Sequence, residues 1–482
     1  MFVELTGQGR EICEALGRAF FDAGETLYLV GGAVRDLVLG RGAGADYDFT
    51  TSAAAARIPG IVRPLARFAY DKSPAKGYGT HGVILKNKVE VEITPYRDWA
   101  AVAMQQNGRR GDSPVPGPAD SLDTDLFGRD FTINAMAVDI SPAGFGTLVD
   151  PCGGESDLAA RVLRTPVAPG RTFADDPLRP MRAVRFAAAL DFTIEDRAFA
   201  CIRALAAAEP SPLLRPAPER IREELFHMLE LPRPSRAMLL LREAGILRLV
   251  LPEVEALAGM QPEPGAHHKD NFAHTLAVLD EIAACDAGRD DVVLRFAALV
   301  HDIGKPAARR LDDHANYSFT DHDKIGAELA DKLCVRLRFS NAHRARTVRL
   351  VRLHNRLHPF GEAWTDAAVR RAVNELGEDL DAMLAFSRAD ITSSDMDKMA
   401  ARRAALDVFA ERVQGLDRAV LLDPQPPIQG QEIMALLGLQ KGGPQVGRAV
   451  KYLKQQIVDG ALDPQDADAA RRIVQTREWD QA

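Results

Sequence analysis

The sequence predicts an α+β protein in which a mixed sheet with helices precedes an all-helical remainder. Strand and helix patterns alternate over residues 1–165, whereas helix patterns follow one another directly beyond Arg171. The chain has 482 residues, and at about 150 residues per domain this length corresponds to roughly three domains. We therefore expect one mixed domain followed by helical domains.

Composition limits the class of protein. Hydrophobic residues make up 46% and charged residues 27% of the chain, which excludes a disordered or collagen-like protein. The sequence has neither an apolar run of about 18 residues nor a signal-peptide pattern in residues 1–10, so we expect a cytoplasmic protein.

Five scattered cysteines without a CxxC motif predict reduced thiols. The net charge of −8 argues weakly against a protein that coats nucleic acid over its whole surface.

The predicted strands lie in the N-terminal domain. They have apolar or alternating patterns bounded by turn residues, and they cover Leu27–Val30, Val83–Leu85, Val89–Ile93 and Ile133–Ile140. Gln105–Asp120 is rich in Gly, Pro and charge and lacks apolar periodicity. It predicts an exposed loop within this domain.

The rest of the chain is predicted to be helical. Helix patterns cover Met181–Leu190, Arg220–Leu231, Arg236–Leu249 and the almost wholly apolar Val292–Val300. A proline-rich stretch over 251–265 marks a boundary, and LLDPQPPIQG leads into a short helical tail. The expected domains are residues 1–165, 166–255, 256–420 and 421–482.

The segment LYLVGGAVRDLVLG predicts a strand, a tight turn at Gly31 and Gly32, and a helix. Such a turn exposes backbone N–H groups at a helix start, which favours phosphate binding. It matches neither the dinucleotide-binding nor the P-loop glycine pattern. A purely structural turn explains the two glycines about equally well.

A pair of carboxylates follows in the run ADYDFTT. Asp46 and Asp48 are two apart, so in a strand they face the same side and repel each other unless a cation lies between them. Glu92, in the strand VEVEI, offers a third carboxylate. Oxygen ligands of this kind suit Mg²⁺, and the set is what two-metal phosphoryl transfer requires. The DxD pattern alone is more often surface charge.

Seven blocks along the chain together resemble the class II tRNA nucleotidyltransferases, that is, the CCA-adding enzymes and their poly(A) polymerase relatives. They occur in the family's order and are LVGGAVRDLVLG, DYDFTT, VEITPYR, SLDTDLFGRDFTINAMAV, DPCGGESDL with VLRT, DDPLRPMRAVRFA and PERIREELFHML. The resemblance implies a polymerase-β-like nucleotidyltransferase head followed by a helical neck and body.

The resemblance also implies roles for individual residues. Asp46 and Asp48 would bind catalytic Mg²⁺, with Glu92 as the nearby third carboxylate. The residues implied to bind the nucleotide are Gly31, Gly32 and Arg35 at the triphosphate, Arg129, Asp130 and Asn134 in the RDFTINA block, and Arg182 and Arg185 in the MRAVRFA run. The family often has two arginines where this chain has Gly128 and Arg129, so one phosphate-directed cation is absent.

Asp176 and Arg179 in DDPLR are three apart and would face the same way on a helix. A carboxylate accepting from an exocyclic amine beside a guanidinium donating to a ring acceptor can read cytosine or adenine. The resemblance implies this role in selecting CTP and ATP. The structural alternative is that Asp176 caps the helix, with Pro177 at its first position.

Scattered histidines predict a second site. His301 and Asp302 end the apolar helix, and His274 and Asp390 complete an H…HD…D set, with His322 and His354 as further candidates. Mixed N and O ligation suits a divalent transition metal such as Ni²⁺ or Mn²⁺. The region resembles the HD phosphohydrolase domain of one bacterial branch of the family, which implies a phosphatase or 2′,3′-cyclic phosphodiesterase. The alternative is a metal that only joins helices.

A basic stripe is predicted near the middle of the last helical unit. Leu333 to Arg356 contains seven arginines and no acidic residue. Four of them have helical spacing, namely Arg346, Arg349, Arg352 and Arg356. A solvated helix face is the more common explanation, but like charges without local partners favour a nearby phosphate backbone, so these four are predicted to contact RNA.

The main functional hypothesis is a template-independent enzyme that adds C, C and A to the 3′ end of tRNA from CTP and ATP with Mg²⁺, releasing pyrophosphate. One alternative is an enzyme of the same family that adds only A or a poly(A) tail. Another is a metal phosphohydrolase whose N-terminal unit only binds RNA. The oligomeric state is expected to be a monomer or a homodimer.

Overall fold

The computed structural model describes residues 1–42, 47–72, 79–99, 115–260, 270–311, 317–391 and 396–479. The chain forms two compact units, Met1–Pro252 and Glu253–Ala482. The first contains a large mixed sheet with helices and the second is almost wholly helical. The predicted fold class is therefore confirmed, whereas the finer division into four domains stays a prediction.

A seven-stranded sheet organises the first unit. Its strands are β1 Leu27–Val30, β2 Tyr47–Thr51, β3 Ala66–Asp71, β4 His81–Leu85, β5 Glu90–Pro95, β8 Ala137–Asp139 and β9 Leu148–Val149. They lie in the order β3-β4-β5-β2-β1-β8-β9. All neighbouring strands are antiparallel except β2 and β5, which are parallel. The catalytic chemistry predicted from the sequence falls on these two central strands.

Among the described residues there are also three short two-stranded ribbons, two in the first unit and one in the second. Their strands are β6 Arg97–Asp98 with β7 Gly117–Pro118, β10 Val162–Leu163 with β11 Thr193–Ile194, and β12 Arg310–Leu311 with β13 Tyr317–Ser318. The sequence patterns did not predict them because two-residue strands show no periodicity. Of the predicted loop Gln105–Asp120, residues 105–114 lie outside the described part of the chain, and Gly117–Pro118 pairs with β6.

Helices of the first unit cover the sheet and extend beyond it. They are α1 Gly7–Asp22, α2 Gly32–Val38, α3 Ile58–Val62, α4 Leu122–Phe127, α5 Gly154–Ala160, α6 Pro169–Asp175, α7 Arg179–Leu190, α8 Asp196–Ala207, α9 Pro218–Leu229, α10 Pro234–Glu243 and α11 Leu247–Val250. On α1, Ile12, Leu16 and Phe20 recur at four-residue spacing and are fully or almost fully buried. This apolar stripe packs α1 against β1.

Two predicted elements differ from the structure. Ile133–Ile140 was expected to be one strand, but Thr132–Asn134 forms a 3₁₀ turn and only Ala137–Asp139 is extended. The predicted helix Arg236–Leu249 is two helices, α10 and α11, because Gly245 adopts φ +73° between them. A left-handed glycine after a helix ends it, and the apolar pattern continues through the break.

The second unit is a helical array. Its helices are α12 Pro252–Glu255 at the boundary, α13 Asn271–Ala284, α14 Asp286–Arg289, α15 Val292–Val300, α16 Lys305–Ala308, α17 His322–Arg336, α18 Asn341–Leu353, α19 Asp366–Leu376, α20 Leu380–Ala389, α21 Met396–Gln414, α22 Arg418–Leu422, α23 Gly430–Leu436, α24 Pro444–Asp459 and α25 Ala467–Thr476. The last three have a core of their own that includes Ile433, Leu453, Ile457 and Trp479. Within the described residues, no helix is both long and apolar enough to cross a bilayer.

The apolar helix α15 is buried as predicted, but it contains a buried charge. Arg295 is 3% exposed, and its guanidinium donates to the backbone carbonyls of Gly288, Arg289 and Ala283 at 2.7, 2.6 and 3.3 Å. These carbonyls lie at or near the ends of α13 and α14, where backbone acceptors have no partner within the helix. Arg295 therefore joins three helices of the second unit.

Replacing Arg295 with Met is expected to lower the free energy of unfolding by about 2 kcal/mol or more, because it leaves several buried carbonyls without donors. Chemical denaturation of the full chain measures this. The control is Arg289→Met, since the Arg289 side chain is 66% exposed and pairs with an exposed aspartate; it should change stability by less than about 0.5 kcal/mol. Equal effects of the two variants would contradict the proposed role of Arg295.

Candidate active site and metal centre

The first unit contains a cleft of about 840 Å³ beside the ends of β1 and β2. All of the nucleotide-binding residues predicted from the sequence line it. They are Gly31, Gly32, Arg35, Arg129, Asp130, Asn134, Asp176, Arg179, Arg182 and Arg185, and the predicted catalytic Asp48 lines it too. Asp46 lies outside the described residues, and Glu92 is not among the lining residues.

The glycine turn leaves space where a side chain would otherwise lie. Gly31 has φ +74° and precedes the first turn of α2, so it adopts a conformation that L side chains rarely take. A Cβ atom built there would lie 3.6 Å from Asp48 Oδ2 and 3.7 Å from Arg129 Nη1. These are ordinary contact distances, so the backbone conformation rather than crowding favours glycine here, between a carboxylate and a guanidinium at the cleft wall.

Asp48 and Glu92 lie side by side on the two parallel strands. The register pairs Asp48 of β2 with Glu92 of β5, and paired residues of neighbouring strands present their side chains on the same face. Glu92 also forms an ion pair with Lys72. The structure thus brings together Asp48 and Glu92, two of the three predicted carboxylates. They lie on the same face of the sheet, and Asp48 lines the cleft.

A buried network fixes the orientation of the polar groups in the cleft. Asp130 accepts hydrogen bonds from Arg182 Nε and Nη2 at 3.0 and 2.7 Å, from Asn134 Nδ2 at 3.2 Å and from the Phe131 N–H. Arg35 Nη1 in turn donates to Asn134 Oδ1. Burial opposes ionisation of Asp130, but the guanidiniums of Arg182 and Arg179 and the hydrogen bonds from Arg182 and Asn134 together outweigh it and lower the pKa of this carboxyl. Asp130 therefore holds its partners as a carboxylate.

The network continues into the neck helices through Glu224. Arg182 Nη1 and Arg185 Nε donate to the two Glu224 carboxylate oxygens at 3.3 and 2.7 Å. Both guanidiniums also lie over the Phe186 ring, at 5.4 and 4.4 Å from its centroid. Two cations are thus held in set directions at the cleft wall, where they can face an anion.

The base-reading pair has a different local structure from the one predicted. Helix α7 begins at Arg179, whereas Asp176 is extended and precedes that helix. The expectation that both residues lie on one helix is therefore wrong, and so is the capping alternative with Pro177 at the first helical position. Pro180 lies in the first turn of α7, where a missing N–H group costs no hydrogen bond.

Both residues nevertheless face the cleft and are less than 10% exposed. Asp176 accepts from the Leu178 N–H and from Arg220 Nη2 at 3.1 and 2.6 Å. Arg179 donates to backbone carbonyls through Nη1 and Nη2 and lies over the Trp99 ring at 4.6 Å. Burial lowers the pKa of the Arg179 guanidinium. Each side chain is therefore held in one orientation at the cleft wall.

Several further residues of the cleft were not predicted from the sequence. Arg220, Glu224, Trp99 and Phe186 all line the cleft. Arg220 and Glu224 are four apart in the quoted block PERIREELFHML, so they share a helix face. That spacing could have identified these two residues from the sequence. No sequence pattern relates Trp99 to Arg179.

The second site lies in the second unit, where α13, α15 and α20 meet. His274 Nε2 is 2.9 Å from Asp390 Oδ1 and 3.7 Å from Asp302 Oδ2. His301 Nε2 is 3.2 Å from Asp302 and 3.6 Å from Asp390. Lys305 Nζ lies 2.7 Å from Asp302. The four predicted ligands are therefore brought together.

His322 and His354 form a second group on the other side of the same aspartate. Their Nε2 atoms are 3.2 Å apart, and His322 Nε2 is 3.6 Å from Asp302 Oδ1. One cluster suited to a metal ion consists of His274, His301 and Asp302, and the other of Asp302, His322 and His354. Asp302 is common to both clusters. The sequence analysis did not single out His358, whose Nε2 lies 3.0 Å from Asp390 Oδ2.

The donor set fits a divalent metal. The Nδ1 atoms of His301, His322 and His354 each lie 2.7–2.9 Å from the backbone carbonyl three residues earlier, which directs the Nε2 atoms to the centre, as in metal-binding histidines. His301 Nε2 and Asp302 Oδ2 are buried and make no hydrogen bond of normal geometry. Burial lowers the pKa of His354 to about 4, so this ring is a neutral ligand at pH 7.

The arginine stripe on α18 has partners that the local sequence did not reveal. Arg346 pairs with Asp291 and Asp379, Arg352 pairs with Asp323, and Arg356 pairs with Glu375. Arg349 donates to backbone carbonyls and lies near Asp379. The charges lack local partners, as the sequence shows, but carboxylates from distant segments pair with them, so they do not require a phosphate for charge compensation. RNA binding by the stripe remains only a prediction.

Three known domain families match successive parts of the chain. Residues 27–164 match the Poly A polymerase head domain, residues 191–257 match the probable RNA and SrmB-binding site of polymerase A, and residues 271–400 match the HD domain. The cleft lies in the part covered by the first two and their junction, and the histidine clusters lie in the third.

Curated relatives align along most of the chain. An A-adding tRNA nucleotidyltransferase of Deinococcus radiodurans is 34% identical over 92% of this chain and 94% of its own length. A multifunctional CCA protein of Nitrosococcus oceani is 36% identical over 70% and 76%. A CC-adding tRNA nucleotidyltransferase of Thermus thermophilus is 32% identical over 90% of each chain.

Solved structures share the fold. The CCA-adding enzyme of Bacillus stearothermophilus in complex with CTP has a TM-score of 0.65 at 23% identity, with 95% of each chain covered. The Thermotoga maritima CCA-adding enzyme complexed with tRNA has a TM-score of 0.58 at 17% identity. Together with the motif blocks, the domain matches and the curated relatives, this likeness shows that the chain belongs to the tRNA nucleotidyltransferase and poly(A) polymerase family, in the bacterial branch that carries an HD domain.

Proposed function

We propose that this enzyme adds C, C and A in turn to the 3′ end of tRNA, using CTP and ATP and releasing pyrophosphate. The observation that carries the proposal is the cleft in which the glycine turn and fixed arginines lie beside Asp48, with Asp48 in register with Glu92. This arrangement can hold a triphosphate next to carboxylates that are suited to phosphoryl transfer. Relatives that align along this chain add nucleotides to tRNA.

The carboxylates fit Mg²⁺. Asp48 and Glu92 would hold it from adjacent strands, together with Asp46 as the sequence predicts, and the missing side chain at Gly31 leaves room beside Asp48. When bound, the ion would activate the attacking 3′ hydroxyl and neutralise charge on the phosphates. Lys72, which pairs with Glu92, would release that carboxylate as the ion binds.

The cations of the cleft would bind the triphosphate. Arg129 lies close to Gly31, and Arg35, Arg182 and Arg185 are oriented by the network of Asp130, Asn134 and Glu224. A guanidinium group whose orientation is already fixed can bind two phosphate oxygens at once. The network fixes the direction of each guanidinium but does not occupy all of its donors, because each guanidinium has five N–H groups.

Asp176 and Arg179 would select the base. Asp176 can accept from the exocyclic amine of cytosine or adenine while Arg179 donates to the neighbouring ring acceptor. Uracil and guanine present the opposite pattern at that edge. Both side chains are held at the cleft wall by Arg220 and Trp99, so a wrong base would set donor against donor and acceptor against acceptor at fixed groups.

The number of nucleotides added has a specific alternative. The A-adding relative aligns over 92% of this chain, so an enzyme that completes tRNAs already ending in CC is the second candidate. Incubation of tRNA transcripts ending at the discriminator base, at C and at CC with labelled CTP or ATP separates the two. Growth of all three to CCA supports the proposal, and growth of the CC transcript alone supports the alternative.

We further propose that the HD unit binds Ni²⁺ or Mn²⁺ and hydrolyses a phosphoester, either as a phosphatase or as a 2′,3′-cyclic phosphodiesterase. His274, His301, Asp302 and Asp390 would be the ligands, and His322 and His354 offer a second group that shares Asp302. When bound, the metal would supply a hydroxide near neutral pH. Lys305, 2.7 Å from Asp302, would attract the substrate phosphate.

Asp48→Asn keeps the shape of the side chain but removes its charge. Nucleotide transfer should fall by at least ~10³-fold while tRNA binding is retained, because transition-state charge is no longer stabilised. Single-turnover incorporation and filter binding measure the two effects. Asp22→Asn, on the exposed end of α1, is the matched control. Near wild-type transfer by Asp48→Asn would remove the metal-based proposal.

Asp176→Ala should reduce the preference for CTP over UTP, measured as the ratio of kcat/KM values, by about 5- to 150-fold, because edge contacts are worth roughly 1–3 kcal/mol. Asp157→Ala is the control, since Asp157 is also buried but lies outside the cleft lining. It should lower Tm without changing the ratio. If Asp176→Ala behaves like the control, Asp176 is only structural.

Asp302→Ala should abolish binding of Ni²⁺ or Mn²⁺ and hydrolysis of 2′,3′-cyclic phosphate, whereas His322→Ala should remove only part of the bound metal, because only Asp302 belongs to both clusters. Metal content by mass spectrometry and phosphate release give the readouts. His343→Ala, at an exposed position on α18, is the control. Early melting of Asp302→Ala together with no hydrolysis by the wild type under any metal would show that the site is structural.

A further inference from the structure

Two aromatic side chains lie on the edge strand of the sheet, one exposed and the other half-buried. Phe68 and Tyr70 are two apart on β3, and their rings stack with centroids 5.7 Å apart and an interplanar angle of 20°. Phe68 is 60% exposed. Strand β3 is the last strand in the order β3-β4-β5-β2. A partly exposed stacked pair on an edge strand is a liability for association with other chains, so its presence calls for a ligand.

The pair is in line with the catalytic carboxylates. The register pairs Tyr70 with Gly82, Gly82 with Glu92, and Glu92 with Asp48. These four residues form one row across the sheet, and neighbouring strands are about 4.8 Å apart. Tyr70 is therefore roughly 10 Å from Glu92 along the row, measured between Cα atoms.

Contacts show that the rings lie on the same face as the carboxylates. The Tyr70 hydroxyl donates to Glu90 Oε1 at 2.5 Å, and Lys72 pairs with Glu92. A Cβ atom at Gly82 would lie 2.5 Å from Tyr70 Cζ. The glycine therefore lets the tyrosine ring lie flat over β4, with its edge turned towards β5.

The nucleotide cleft lies on the opposite side of Asp48. Gly31 and Arg129 border Asp48 on the β1 side, and β5, β4 and β3 follow on the other. In phosphoryl transfer, the 3′ hydroxyl forms a new bond to the α-phosphorus and loses its proton, while the bond to the leaving pyrophosphate breaks in line with it. With the triphosphate in the cleft, the RNA end must approach from the Glu92 side.

We propose that Phe68 and Tyr70 form a stacking platform for the 3′-terminal base of the RNA that is being extended. This inference rests on the proposed function. The 3′ hydroxyl would lie at Glu92 and the base attached to the same ribose would lie against the two rings. Aromatic stacking is tolerant of sequence because every base has a π-face. That tolerance suits an enzyme whose acceptor ends in a different base after each addition.

Kinetics test the platform. Phe68→Ala and Tyr70→Ala should each reduce kcat/KM for tRNA by about 5- to 150-fold, the range expected for one stacked base, while KM for CTP and ATP stays within about twofold. Phe68→Trp should restore activity. The control is Phe21→Ala, since Phe21 is 52% exposed on α1 and should have no effect. Parallel loss for tRNA and nucleotides with a lowered Tm would instead indicate a structural role.

A binding assay tests the stacking platform independently of the proposed function. An RNA hairpin with an unpaired 3′ end carrying 2-aminopurine as its last base should lose fluorescence on binding the wild-type chain, because stacking quenches the probe. The Phe68→Ala/Tyr70→Ala double variant should bind without quenching, and Phe21→Ala should quench fully. Equal quenching by the double variant and the wild type overturns the platform, even when nucleotide addition is normal. Absence of nucleotide addition by the wild type overturns the proposed function, while quenching still decides the platform.

Discussion

The buried carboxylate of Asp130 is the interaction on which the first unit's site depends. It lies in the block that follows α4 and accepts from Asn134 and from Arg182 on α7. Arg182 then reaches Glu224 on α9. One ionised group therefore connects the sheet with two helices that follow it, and the cleft exists only where these parts meet. Loss of the carboxylate would leave a buried guanidinium without its main partner, which is costly.

The same network explains how a cleft with seven arginines in its wall can remain folded. The lining also contains seven carboxylates, and the principal pairs are held by short hydrogen bonds rather than by chance proximity. Each guanidinium has five N–H donors, so these pairs do not use all of them. Charge that stabilises the empty cleft is thereby also available to an anion, so binding requires little rearrangement of the protein.

The sequence predicted the fold class, the strand Leu27–Val30 and the helix Val292–Val300 because local periodicity determines such elements. It also predicted which residues line the cleft, since the motif blocks carry them. It did not predict that Arg220 pairs with Asp176, which is 44 positions away, or that Asp48 is in register with Glu92. Long-range pairing depends on how elements pack, and no pattern within a segment records it. For the same reason the partners of the arginine stripe were missed.

Because of these ion pairs, the packing of the second unit depends on the ionic strength of the solution. Helix α18 and the turn after it are joined to their neighbours by Arg346, Arg352 and Arg356, whose side chains are between 27% and 41% exposed. Pairs at this level of exposure are weakened by dissolved ions, since the Debye length falls from about 10 Å at 0.1 M salt to about 3 Å at 1 M. A rise in ionic strength would therefore loosen this flank of the helical array as well as screen phosphate contacts. The slope of RNA affinity against salt concentration would contain both contributions, and would overstate the number of phosphates bound.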